Sequence, residues 1–183
     1  SIVRVLKEKK LSRKVYAIDK DTDVIKISKD LNLVDEIENN LNKFKRQFDV
    51  IFICTPLSSY KNIFNQLNSY VTEKTLVTDV GSTKASVIKD FKQSIDNKKI
   101  LFVPAHPIAG LEKSGPEFGF AKLFENRYCI LTPIETGSQL TKSISNIWES
   151  FGMTVETMEP KHHDRVLAMT SHIPQLIAYS VVG

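Results

Sequence analysis

The stretch DVIFICTPLSSYKNIFNQLNSYVTEKTLVTD, residues 49–79, decides the fold. Its first six residues, Asp49 to Cys54, form a nearly unbroken apolar run closed by Thr55 and Pro56, the pattern of a short strand buried on both faces. Residues 59–70 then set Ile63, Phe64, Leu67 and Tyr70 on one face of a helix. Thr75-Leu76-Val77-Thr78-Asp79 is a second strand. Two short strands joined through a helix are the unit of a parallel sheet, because parallel strands require a long crossover.

The same alternation extends on both sides. Residues 2–11 form the tail of a helix, 14–18 a strand ending at Asp19, and 22–31 a helix capped by Asp21 or Thr22. Beyond the central unit come a helix over 83–95, a strand over 100–103 and, after a long loop, a strand over 127–131. A helix over 137–151 carries the stripe Leu140, Ile144, Ile147, Trp148 and Phe151, and 153–158 is a last short strand. From Pro160 the pattern is helical, broken at Pro174. The apolar run 176–182 has no partner in the chain and calls for a further helical domain or a second subunit to cover it. The fold class is α/β, with a mostly parallel sheet and helices on both faces.

A chain of 183 residues, 42% hydrophobic and 25% charged, buries an ordinary globular core. The net charge of +4 is dispersed over many lysines, which argues against nucleic acid as a partner. No run approaches the ~18 apolar residues of a membrane span, so the cytoplasm is the default location. Cys54 and Cys129 each sit in an apolar strand and are expected to be buried, reduced thiols. Neither they nor the adjacent His162 and His163 have the spacing of a metal site, and His163 with Asp164 suits structural hydrogen bonds.

Chemistry concentrates where strands end. The segment His106-Pro107-Ile108-Ala109-Gly110-Leu111-Glu112-Lys113-Ser114-Gly115-Pro116 follows the strand over 100–103 and reads as a loop. His106 can accept a proton near neutral pH, against the blander alternative of a core histidine. After the strand over 75–79, Gly81 permits close backbone approach, Ser82 offers a hydroxyl or a helix cap, and Lys84 a charge. Asp19 ends what would be the second strand of a dinucleotide-binding unit. There a carboxylate holds ribose hydroxyls and disfavours a 2′-phosphate, unless it is only a loop or capping residue. Thr55 and Pro56 either face a cofactor or simply stop a strand. Ser171 and His172, just before Pro174, suit a helix kink with a buried histidine.

Four segments in order resemble the prephenate and arogenate dehydrogenase family: Asp79-Val80-Gly81-Ser82-Thr83-Lys84, His106 to Gly115, Leu123 to Pro133, and His163-Asp164-Arg165 through Ser171-His172-Ile173-Pro174. The resemblance runs along essentially the whole chain. It implies a Rossmann-type domain over 1–158, lacking its first strand and glycine loop, and the start of an all-helical dimerisation and substrate domain over 159–183, truncated. It also implies a function: NAD-dependent oxidative decarboxylation of prephenate or arogenate in tyrosine biosynthesis, with NADP a poorer fit, by a homodimer.

In that reading His106 is the catalytic base and Ser82 lies between nicotinamide and substrate. Asp19, Thr55, Pro56, Gly81 and Ser82 contact the cofactor, while Glu112, Ser171, His172 and Gln175 line the substrate pocket. Many members carry His where this chain has Gln175, which bears on substrate choice. The glycine loop is expected before Ser1 and the cation for the substrate carboxylate beyond Gly183, so the isolated segment is expected to be inactive. The alternatives are a β-hydroxyacid-type dehydrogenase and a non-catalytic nucleotide-binding module.

Overall fold

Hydrophobic alternation along three parallel strands builds the centre of the molecule, seen here in a computed structural model. The structure describes residues 1–183 except 69, 72–74, 96–99, 112, 136, 173–179 and 181–183, and of 171 and 172 it describes the backbone alone. The chain runs α1 (Ile2–Glu8), β1 (Tyr16–Ile18), α2 (Thr22–Asp30), β2 (Glu36–Glu38), β3 (Val50–Ile53), α3 (Tyr60–Asn68), β4 (Leu76–Asp79) and α4 (Ala85–Ser94). It continues through β5 (Leu101–Val103), β6 (Ala105–Pro107), β7 (Tyr128–Leu131), α5 (Gln139–Ser150), β8 (Thr154–Thr157) and α6 (Pro160–Leu167), and then a π-helical turn, Ala168–His172.

Strands β3, β4 and β5 pair in parallel, with Ile53 opposite Asp79 and Thr78 opposite Val103. This register brings the chain out of all three strands at one edge. A parallel β1–β2 pair and a β6–β7–β8 group complete the sheet structure. Successive side chains on a strand face opposite ways. Ile53, Val77 and Phe102 therefore pack with Tyr60, Phe64 and Leu67 of α3 and Val87 of α4. Phe52, Leu76 and Val103 face the other way, into Ile144 and Trp148 of α5 and the following Phe151. The expected α/β architecture, mostly parallel and flanked by helices, is the one observed. Among the described residues no helix is long and apolar enough to cross a membrane.

Local sequence sets the helix starts. Asp21 caps α2 by accepting from the N–H groups of Asp23 and Val24. Ser138 caps α5, and Glu159 caps α6 ahead of Pro160 at its first turn.

Three expectations need correction. Residues 36–38, Glu-Ile-Glu, were not expected as a strand because a single apolar residue gives no alternation to detect; they pair with β1 along its whole length. The segment at His106 is not a loop at its start. Pro104 has no N–H to continue the ladder with β4, and the chain crosses over to pair antiparallel with β7 as β6. The Pro104 carbonyl accepts from Thr132 at 3.0 Å to seal that switch. Finally, Cys54 is exposed, because it lies one residue past β3 at the edge where the strands end, whereas Cys129 is buried in β7.

Candidate active site

The edge where β3, β4 and β5 end is held by a fully buried ion pair. Asp79, the last residue of β4, and Lys84, at the start of α4, are both 0% exposed, with Lys84 Nζ 2.6 Å from Asp79 Oδ2. Lys84 also donates to the Ala105 carbonyl at 2.7 Å. Asp79 accepts from the N–H groups of Gly81 at 2.9 Å and Ala105 at 3.0 Å and from the Tyr60 hydroxyl at 3.1 Å. Burial pushes the Lys84 ammonium below its ordinary pKa, and the adjacent Asp79 carboxylate opposes that shift. Tyr60 is raised, first by burial and then by the same carboxylate. The group joins the end of β4, the turn after it and the first residue of β6, directly before His106.

Gly81 is needed for this closure. A Cβ there would lie 2.7 Å from Leu57 Cδ2, 2.9 Å from Asp79 Oδ2 and 3.1 Å from the Tyr60 hydroxyl. Sequence reasoning assigned its freedom to a ligand; the close approach is made by the protein's own side chains, and its N–H is already given to Asp79.

His106 is half-buried in β6, and its ring meets that of His163, 57 residues later on α6. Nδ1 of His106 lies 3.0 Å from Nε2 of His163, with the rings edge to face at 5.1 Å. His163 is fully buried, and its Nδ1 is 2.8 Å from Asp164 Oδ1. The Asp164 carboxylate in turn accepts the backbone N–H groups of Lys84 at 2.7 Å and Ala85 at 2.9 Å. It therefore satisfies the opening donors of α4 from another helix. Ser82 is not the cap of α4; it is exposed on the turn before Lys84. Burial lowers the pKa of His163, although Asp164 works against that shift. For Asp164, burial raises the carboxyl, but the two backbone donors and His163 together hold it below the usual carboxylate range.

The remaining candidates divide. Thr55 and Pro56 are exposed just past β3, and Asp19 is half-buried just past β1, where its Oδ1 accepts the N–H of Asp21. Glu112 and Gln175 lie outside the described residues, and of Ser171 and His172 only the backbone, in the π-helical turn, is described. Sequence reasoning recognised His163 and Asp164 as hydrogen-bonded residues but did not connect them to His106. An adjacent His-Asp pair carries no signal of a partner so far away in the chain.

Strand ends gathered at one edge of a parallel sheet, with helices on both faces, define a Rossmann-type nucleotide-binding domain. Here the strand following that edge also presents a braced imidazole. The chain belongs to the prephenate dehydrogenase family: residues 2–157 match its model, described as "Prephenate dehydrogenase, nucleotide-binding domain". It is 36% identical over 170 residues to the cyclohexadienyl dehydrogenase of Zymomonas mobilis, covering 92% of this chain and 57% of that protein. It is 29% identical to the prephenate dehydrogenase of Bacillus subtilis, covering 100% of this chain and 49% of that one. The chain thus spans about half the length of these curated relatives. Among solved structures, the prephenate dehydrogenase of A. aeolicus in complex with hydroxyphenyl propionate and NAD+ superposes with a TM-score of 0.90 at 31% identity. That superposition covers 99% of this chain and 63% of the other.

Proposed function

We propose that the protein carrying this chain is an NAD-dependent dehydrogenase that oxidises and decarboxylates prephenate or arogenate. Family membership supports the reaction class, and the NAD+ complex of the A. aeolicus relative supports the cofactor. The observation that carries the reading is His106, held on a strand edge beside the turn that bears Ser82.

The residues present fit the cofactor. Asp19 has a half-buried carboxylate at the end of β1, and Thr55, Pro56 and Ser82 are exposed at the ends of β3 and β4. When bound, NAD supplies the acceptor for the hydride leaving the hydroxyl-bearing ring carbon. Asp19 accepts hydrogen bonds from the ribose hydroxyls and repels a 2′-phosphate. Ser82 orients the substrate hydroxyl, and His106 takes its proton as the oxygen becomes a carbonyl. The ring carboxylate then leaves as carbon dioxide, and aromatisation makes the step irreversible. Residues 1–158 form the cofactor domain and 159–183 open a helical domain. By the family resemblance Glu112, Ser171, His172 and Gln175 are assigned to substrate binding, and the helical domain to joining two copies into a dimer. The β-hydroxyacid reading lacks a comparable footing, because the family match runs through the His106 segment.

The test is NADH formation by the full-length protein with NAD and either prephenate or arogenate. Rapid reduction is expected with at least one, and His106→Asn should slow it by roughly 10²- to 10⁴-fold, the usual contribution of a general base. Near-normal turnover by that variant would remove the assignment.

A further inference from the structure

We infer that His163 and Asp164 are positioning residues that set the tautomer of His106, so that its Nε2 is the nitrogen that receives the substrate proton. The inference rests on His106 acting as the base.

The contacts from Asp164 through His163 to Nδ1 of His106 fit one assignment of protons. An ionised carboxylate only accepts, so the His163 nitrogen 2.8 Å from Asp164 carries the proton. A neutral His163 with Nδ1–H has a bare Nε2, which must accept. The group 3.0 Å away, Nδ1 of His106, must therefore donate. A neutral His106 protonated on Nδ1 keeps its lone pair on Nε2. The opposite assignment would set two lone pairs against each other at Asp164, or require a charged His163.

The surroundings keep His163 neutral. Its ring is fully buried, and Lys84 at the start of α4 disfavours a second positive charge, while Asp164 on its own helix and Asp79 at the end of β4 oppose them. Burial is the largest of these influences. Asp164 cannot swing away easily, since its oxygens hold the Lys84 and Ala85 N–H groups at 2.7 and 2.9 Å. The same carboxylate that orders the imidazole pair thus also anchors the helix following Ser82. One side chain ties the two proposed reacting groups to a common frame, the kind of supporting contact that holds a site in register.

Two variants of the full-length protein and one spectrum test this. His163→Leu keeps bulk but removes the acceptor, and should lower kcat about 100-fold while leaving NAD affinity and substrate KM within about threefold. His163→Gln can return an amide oxygen near the lost Nε2 and should recover at least about tenfold of that rate. A merely structural role would not produce this split or this rescue. Unchanged kcat in His163→Leu overturns the inference. Should that variant fold poorly, imidazole ¹⁵N shifts of the unmodified protein decide the matter. His106 protonated on Nδ1 supports the assignment, and a proton on Nε2 overturns it. Full turnover by His106→Asn would instead sink the proposed base, with the tautomer still settled by the spectrum.

Discussion

Two carboxylates sit beside the start of α4 and differ in what they grip. Asp79 is sealed from solvent and holds backbone groups, a phenol and an ammonium, all within 26 positions of itself along the chain. Asp164 is 26% exposed at its side chain and holds the opening of α4 from about 80 positions away, together with an imidazole. The first fixes the main chain just before His106; the second fixes the ring. A backbone brace tolerates burial of full charges because four donors reach the Asp79 carboxylate, whereas a ring brace must keep its histidine neutral. The geometry therefore separates stability from chemistry at a single helix end.

The sharpest way to break this contrast is to dismantle the buried pair one member at a time. Removing one partner of a buried, hydrogen-bonded ion pair costs about 3–5 kcal/mol. Asp79→Leu should reach the upper end, because it leaves the Lys84 ammonium on one carbonyl and strands the Gly81 and Ala105 N–H groups. Lys84→Met should cost less, since three donors still face Asp79. The double replacement should recover part of the Asp79→Leu loss. Urea unfolding of the full-length protein measures all three. If Lys84→Met proves the more damaging single change, Asp79 is not the centre of the brace.

Gly81 offers a gentler probe of the same region. Gly81→Ala forces a methyl against Leu57, Asp79 and Tyr60 and should cost about 1–3 kcal/mol by overpacking. Gly110, in the segment after His106, has nothing within 4 Å of an added Cβ. Gly110→Ala should stay within about 0.5 kcal/mol, as an unencumbered surface change does. Equal losses at the two glycines would mean that the turn after β4 relaxes freely and the close packing there carries little.

These two braces also mark what could be read from the sequence. Asp79, Gly81 and Lys84 stand within six residues at the end of an apolar strand, so local pattern marks them as a unit. The strands β3, β4 and β5 were legible for the same reason, as apolar runs ending in Pro, Gly or Asp. Short-range periodicity says nothing about which distant elements meet, and so the link from Asp164 through His163 to His106 stayed hidden. Strand β6 was missed because Ala-His-Pro has no strand signature of its own. It becomes a strand only because Pro104 ends one ladder and β7 offers another. A serine near a helix start usually caps it, but at α4 a carboxylate from α6 takes that position.

The smallest effect expected is a pH slope that belongs to the ring brace alone. In the unfolded chain His163 takes up its proton near the ordinary imidazole value of 6.5, while burial holds the folded value lower. Between those two values the unfolded state binds more protons. The stability contribution is therefore complete above 6.5 and falls as the pH drops toward the folded value, with a slope of at most about 1.4 kcal/mol per pH unit. Asp164 behaves in a different window. Its folded pKa lies below the ordinary 3.8, so its contribution is present above that value and is lost only as the pH falls through the folded pKa. His163→Gln should flatten the limb just below 6.5 and leave the more acidic limb in place, whereas Asp164→Asn should weaken the acidic limb. Stability curves from pH 3 to 8 on the three proteins read both changes. If His163→Gln leaves the upper limb untouched, the imidazole charges as readily in the folded state as in the unfolded one, and the ring brace does not hold His163 neutral.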